Sequence, residues 1–219
     1  MPAFKPSDCE VLFDFDNTIT SFDVLDDVIE RFSVNNEWEK YEKLWQDGKI
    51  GSRECLNAQI GSVKAEKGAL LEYLGSVKLV PYFMKTLAVL DKKNIPYSIV
   101  SDSFSFMIKN ILKANGVCDI RILSNEIRFV KNRIVPYFPH TNPLCGRCAH
   151  CKTKQVMKRE MIGKTIIYVG DGLSDLCPAL HSDIVFAKGK LLKKLKEMDK
   201  KCHKFDDFKE VYDYLKEKK

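Results

Sequence analysis

The sequence contains no apolar run approaching the roughly 20 residues that a membrane span requires. Its opening, MPAFKPSDCE, lacks the apolar segment of a secretory signal and leads straight into a strand-like run, so a cytoplasmic location without a membrane partner is expected. Internal repeats and low-complexity tracts are absent too, which sets repeat architectures aside. What remains is an ordinary soluble composition of 219 residues, 45% hydrophobic and 30% charged, with room for one large domain or a main domain plus a modest second one. Eight cysteines are too few to scaffold so long and core-rich a chain, and they read as belonging to a reducing compartment. Five are dispersed and three cluster in LCGRCAHC.

The formal charge of +6 is concentrated at the C-terminal end, where residues 188–219 hold 12 Lys against 7 Asp and Glu. A basic patch can serve nucleic acid or an anionic surface. The same stretch, however, spaces Leu191, Leu192 and Leu195, then Phe208, Val211, Tyr212 and Leu215, as two amphipathic helices with lysines on the wet side. A nucleic-acid partner is therefore not expected.

Along the chain, short β-rich runs alternate with helical stretches, the pattern of a parallel sheet flanked by helices. CEVLFDF, IPYSIVSD (95–102), KTIIYVGD (164–171) and DIVFAK (183–188) read as strands. Leu79 to Lys93 reads as a helix that Pro81 starts, with Phe83, Leu87 and Leu90 on one face. FSFMIKNILKANG reads as another, closed by Gly116. Residues 20–78 contain no convincing strand and read as several helices, with Trp38, Tyr41 and Trp45 on one face. Residues 119–151 read as a small β element with a turn at Lys131–Asn132, followed by the cysteine loop. The expected organisation is a core of residues 1–19 and 79–219, holding the 119–151 element, with 20–78 as a helical cap inserted after the first strand.

Three strand ends carry chemistry. The first ends in DFDNT, with Asp14 and Asp16 at i and i+2; the second ends in Ser101–Asp102; the third ends in GDGLSD, with Asp171 and Asp175. In open α/β sheets, ligands bind beyond the carboxyl ends of the strands. Carboxylates of Asp14 and Asp171 suit a hard cation such as Mg²⁺. A phosphoryl group would be stabilised by that cation, by Lys152 at the start of a helix, by the Ser101 hydroxyl and by backbone N–H groups. A carboxylate nucleophile divides a hard displacement into two steps, and Asp16 can protonate the leaving oxygen and then deprotonate water. Each motif alone is weak, since Asp and Gly are common in turns. Their joint occurrence, each after a β-rich run, is what points to a site.

With these motifs in this order, the chain resembles the haloacid dehalogenase-like (HAD) phosphatases over nearly its whole length. The resemblance implies a Rossmann-like, doubly wound core with a cap, Asp14 as nucleophile, Asp16 as acid/base, and Ser101 and Lys152 as phosphate ligands, with Asp102 beside them. It also implies Mg²⁺ held by Asp14, the carbonyl of Asp16 and Asp171, with Asp175 ligating or supporting through water. The insertion resembles the cap of the phosphoserine-phosphatase-like branch, which closes over substrate. An acid at position 16 favours a phosphatase over a dehalogenase or transport ATPase, and less strongly over a phosphomutase.

SDSFSF, ILSN, PYFPHTNPLCGRCAHCK and GDGLSDLCP together resemble the phosphoethanolamine/phosphocholine phosphatase group. The same features fit, more loosely, the phosphatases that act on a keto-enol phosphate in methionine salvage. Ser101–Asp102–Ser103 departs from the Ser-Gly-Gly usual in phosphoserine phosphatases, which argues against that third substrate. For an amino-alcohol phosphate, Asp102 and Asp23 could meet a cationic head group; equally, Asp23, Asp26 and Asp27 could simply begin a helix. Arg53 could bind a substrate carboxylate or lie on the surface. Cys145, Cys148 and Cys151, with His140 and His150 nearby, offer ligands for a structural Zn²⁺ that would steady the loop before Lys152; a disulfide or free thiols are the alternatives. The leading expectation is an enzyme acting on a small phosphorylated metabolite. The rival from another class is a nucleic-acid-binding protein using the cysteine cluster and basic tail.

Overall fold

In the computed structural model, which describes residues 8–130 and 133–218, the buried apolar run Cys9–Phe13 forms β1. Such a run, covered on both faces, is the signature of a central parallel strand. β1 pairs in parallel with β2 (Tyr97–Phe104) on one side and β5 (Thr165–Gly170) on the other. β5 pairs with β6 (Ile184–Ala187), and β6 with the two-residue β7 (His203–Lys204), again in parallel. The four strands read from sequence are all present, within a mostly parallel sheet flanked by helices.

The chain divides into two compact units. The first comprises the described residues of 1–22, 79–100 and 152–219. Its helices include α5 (Phe83–Lys92), α7 (Lys152–Glu160), α8 (Leu176–Leu180), α9 (Gly189–Glu197) and α10 (Phe208–Glu217). Helix α5 begins later than its sequence suggests. Its N-cap is Tyr82 in the left-handed region (φ 70°), so Pro81 precedes the helix rather than opening it. Phe13, Phe83 and Phe208 pack with ring centroids 5.4–5.8 Å apart. Each such fully buried ring contributes about 1.5–3 kcal/mol of burial free energy. On α9 and α10 the lysines stay outside, while Leu191, Leu195, Phe208, Val211 and Leu215 are buried. Thr20 and Leu79 form an isolated antiparallel bridge, and Val80 N donates to Ile19 O at 2.8 Å. The chain thus re-enters this unit beside the point where it left.

The second unit comprises the described residues of 23–78 and 101–151. Four helices, α1 (Val24–Phe32), α2 (Glu37–Gln46), α3 (Ser52–Ser62) and α4 (Lys67–Ser76), occupy the stretch expected to be helical. Helix α1 buries Val24, Leu25, Val28 and Ile29, the stripe its apolar spacing dictates. Helix α2 keeps Trp38, Tyr41 and Trp45 only half-buried. Helix α6 (Ser105–Ala114) buries Met107, Ile108, Ile111 and Leu112, and Gly116 just beyond it takes φ 80°, the closing role expected of it. β3 (Arg121–Val130) and β4 (Arg133–Tyr137) form an antiparallel hairpin. The expected turn at Lys131–Asn132 lies outside the described residues. No helix among the described residues is long and apolar enough to cross a membrane.

Candidate active site

Register brings the first unit's acidic residues together. Phe13 is level with Val169, so β1 and β5 end side by side, and Asp14 N donates to Val169 O at 2.9 Å. Asp14 follows β1, Asp171 follows β5, and Asp175 ends the short 3₁₀ turn Leu173–Asp175. Carboxylate oxygens of these three lie within 4.8 Å of one another.

Lys152, the first residue of α7, is the cation among them, with Nζ 2.6 Å from Asp14 Oδ1, 2.7 Å from Asp175 Oδ1 and 3.3 Å from Ser174 Oγ. The lysine is 3% exposed, Asp14 6% and Asp175 0%. Buried charges persist only when paired and hydrogen-bonded, and this group meets that condition. Helix α7 is tied down at its other end, where Arg159 Nε meets Glu10 Oε1 at 2.5 Å and Nη1 donates to Gln155 O.

Asp175 accepts four hydrogen bonds. Oδ1 receives Lys152 and the Tyr168 hydroxyl (2.7 Å); Oδ2 receives the N–H groups of Asp171 (3.0 Å) and Gly172 (2.9 Å). A Cβ at position 170 would stand 2.7 Å from this carboxylate, so glycine is the residue that leaves it room. Asp171 accepts a side-chain bond from Thr18 Oγ1 at 3.1 Å. Tyr168, Thr18, Ser174 and Arg159 were not singled out from sequence. A tyrosine inside the buried run IIYVG is the one signal that could have been used, because a buried hydroxyl demands a partner.

Burial pushes the Asp14 carboxyl well above the usual range; the charges of Asp175 and Asp171 push the same way, and Lys152 opposes them. Burial, then Asp175, raise Asp171 to about 6. Burial also raises the Tyr168 hydroxyl, keeping it a donor. Three carboxylates sharing one lysine form an oxygen-only, electron-rich set whose repulsion a hard divalent cation would relieve. These donors fit Mg²⁺, with Asp14 and Asp171 better available to it than the saturated Asp175.

Asp16, half-buried, sits in the turn after β1, where Asn17 takes φ 53° and the N–H groups of Thr18, Ile19 and Thr20 all converge on Phe15 O. Ser101 and Asp102 fall in the second unit within β2, which continues past them to Phe104 instead of ending there. Ser101 is buried and its Oγ accepts from Ser103 N at 3.0 Å. Asp102 Oδ1 accepts from the backbone N–H of His150 at 3.0 Å, and its carbonyl accepts from Asn125 Nδ2 at 2.6 Å. Asp23 is the N-cap of α1, accepting from Asp26 N at 2.9 Å, so the helix-start reading describes what it does. Arg53 is exposed on α3 and lines a cavity of about 550 Å³ with Glu54, Asn57, Pro136, Tyr137 and Phe138.

The cysteine loop gives no support to the zinc expectation. Among the described residues, the only group of three or more Cys, His, Asp or Glu that could hold a metal is Asp14, Asp171 and Asp175. Cys145 is exposed, Cys148 half-buried and Cys151 buried, and none of the three is in a disulfide, so that alternative is not formed either. His140 and His150 meet edge to face, with ring centroids 4.8 Å apart.

A family model described as Putative Phosphatase matches residues 9–217. The chain is 30% identical over 215 residues to the 2-hydroxy-3-keto-5-methylthiopentenyl-1-phosphate phosphatase of Geobacillus thermodenitrificans, covering 94% of each. It is 28% identical over 213 residues to the bifunctional enzyme MtnB/MtnX of Bacillus licheniformis, across 94% of this chain and 49% of that one, so it spans about half that relative's length. A substrate-bound phosphoserine phosphatase shares the fold, with a TM-score of 0.70 at 18% identity over 94% of this chain and 97% of that one.

Proposed function

The chain belongs to the Putative Phosphatase family and is a phosphoric monoester hydrolase, and on that premise we propose that it works as a HAD-type enzyme and hydrolyses a small keto-enol phosphate through an aspartyl-phosphate on Asp14. The observation that carries the proposed chemistry is the buried Asp14–Lys152–Asp175 arrangement beside Asp171. Asp14, held through Oδ1 by Lys152, attacks phosphorus with its other oxygen. The P–O bond to the substrate breaks, and Asp16 gives its proton to the departing oxygen. Asp16 then takes a proton from water, whose oxygen attacks phosphorus, releasing inorganic phosphate and restoring Asp14. Ser101 and Lys152 bind the phosphoryl oxygens. Asp14, the Asp16 carbonyl and Asp171 would hold Mg²⁺, which when bound supplies positive charge against the transferring phosphoryl group. Asp175 holds Lys152 in place and, being saturated, supports the metal site from behind.

Two things favour the keto-enol phosphate over the amino-alcohol phosphates that the motif resemblance placed first. The Geobacillus thermodenitrificans relative carries the keto-enol phosphate in its name. In addition, both carboxylates considered for a cationic head group have other work, Asp102 with His150 N and Asp23 in capping α1.

A panel of that keto-enol phosphate, phosphoethanolamine, phosphocholine, phosphoserine and an aryl phosphate, ranked by kcat/KM with Mg²⁺, tests the proposal. The keto-enol phosphate should lead, and D14N should lose at least about a thousandfold in kcat. An amino-alcohol phosphate at the top would refute the substrate; undiminished turnover by D14N would refute the mechanism.

A further inference from the structure

Three consecutive backbone N–H groups run up to Lys152, and each has an acceptor. Ala149 N donates to Ser52 Oγ at 2.9 Å, His150 N to Asp102 Oδ1 at 3.0 Å, and Cys151 N to His140 O at 2.9 Å. From the other direction, Ser52 donates twice to Arg147 O, through its N–H at 2.8 Å and its hydroxyl at 3.2 Å. A Cβ at position 51 would stand 2.8 Å from Arg147 O, so Gly51 permits this approach. Ala149 and His150 are almost completely buried, where an N–H without an acceptor is costly. Spacing suggested that metal would organise this loop; side chains from two other segments do so.

We propose that Asp102 and Ser52 are positioning residues that moor segment 147–151 and so fix the backbone from which Lys152 reaches Asp14. This rests on the phosphatase reading of Asp14 and Lys152. Asp102 follows Ser101 directly, so one side chain ties β2 to the segment that leads into Lys152. Its role is to accept a hydrogen bond from His150 N, for which its negative charge is dispensable. An asparagine can make the same bond; an alanine cannot. Ser52 places a second anchor on α3, so the inserted helices share in holding the lysine's segment. Small misplacements of such a group are expensive in rate, because orientation supplies much of the catalysis.

Residue-resolved amide exchange and steady-state hydrolysis of an aryl phosphate with Mg²⁺ test this on the full chain. D102A should speed exchange at His150 and S52A at Ala149, each about tenfold or more, while D102N stays near wild type. D102A should lose about tenfold or more in kcat, and D102N should keep kcat within about threefold. Unchanged exchange in both alanine variants would overturn the mooring. Loss in D102N equal to that in D102A would also overturn it, because charge would then be what matters. Should D102A not fold, S52A and D102N carry the same decision. Inactive wild type would overturn the phosphatase reading and the positioning role with it; active wild type matched by D102A would overturn the positioning role alone.

Discussion

The carboxylate cluster of the first unit and the cysteine loop of the second both looked like metal sites in the sequence, yet only one has the geometry. Asp14 lies 157 residues before Asp171, yet these two and Asp175 converge within 4.8 Å. Cys145, Cys148 and Cys151 lie within seven residues of chain and do not form such a group among the described residues. The difference lies in what aims the side chains. Parallel strands end together and deliver whatever follows them to one place. A loop with CxxCxxC spacing has no such guide, and here its backbone is held through Ser52, Asp102 and His140.

The sharpest way to break this comparison is to remove the cation that makes the acidic cluster tenable. K152A leaves Asp14 and Asp175 buried without their partner and should cost about 3–5 kcal/mol, read from urea unfolding. A loss under 1 kcal/mol would mean that the carboxylates take up protons without penalty. Next in size is the metal response. Mg²⁺ at about 100 times its Kd should stabilise wild type by about 2.7 kcal/mol and raise Tm, with little effect on D171N. A zinc chelator should leave Tm unchanged, and a fall on chelation would restore the cysteine loop as a metal site. Y168F deletes one of four bonds to Asp175 and should cost about 0.5–1.5 kcal/mol, measured by the same unfolding curves. Smallest is C145S/C148S, expected to stay within about 0.5 kcal/mol of wild type, since neither thiol is fully buried.

The strands and their acidic ends were legible because a buried parallel strand has only one kind of sequence, and Asp14 and Asp171 follow such runs directly. The helices of 24–76 were legible from the lack of any strand-like run. The partners were not. Arg159 and Glu10 are 149 residues apart, and nothing local announces their pairing. Tyr168 finds Asp175 seven residues on, across a turn whose path spacing does not specify. Asp102 shows the same limit from the other side. Its charge suggested a ligand, whereas a backbone N–H from residue 150 uses one of its oxygens. Sequence lists the groups available for a task; which task each one performs is decided by neighbours that only the fold supplies.

Gly170 has a consequence for anyone altering this enzyme. Its missing side chain is the space that Asp175 occupies, and even one methyl group there would collide with the carboxylate that holds Lys152. In a library of single substitutions, position 170 should therefore be as intolerant as the aspartates themselves, although it offers a substrate no side chain. The void at 170 is therefore a constraint that any redesign inherits unchanged.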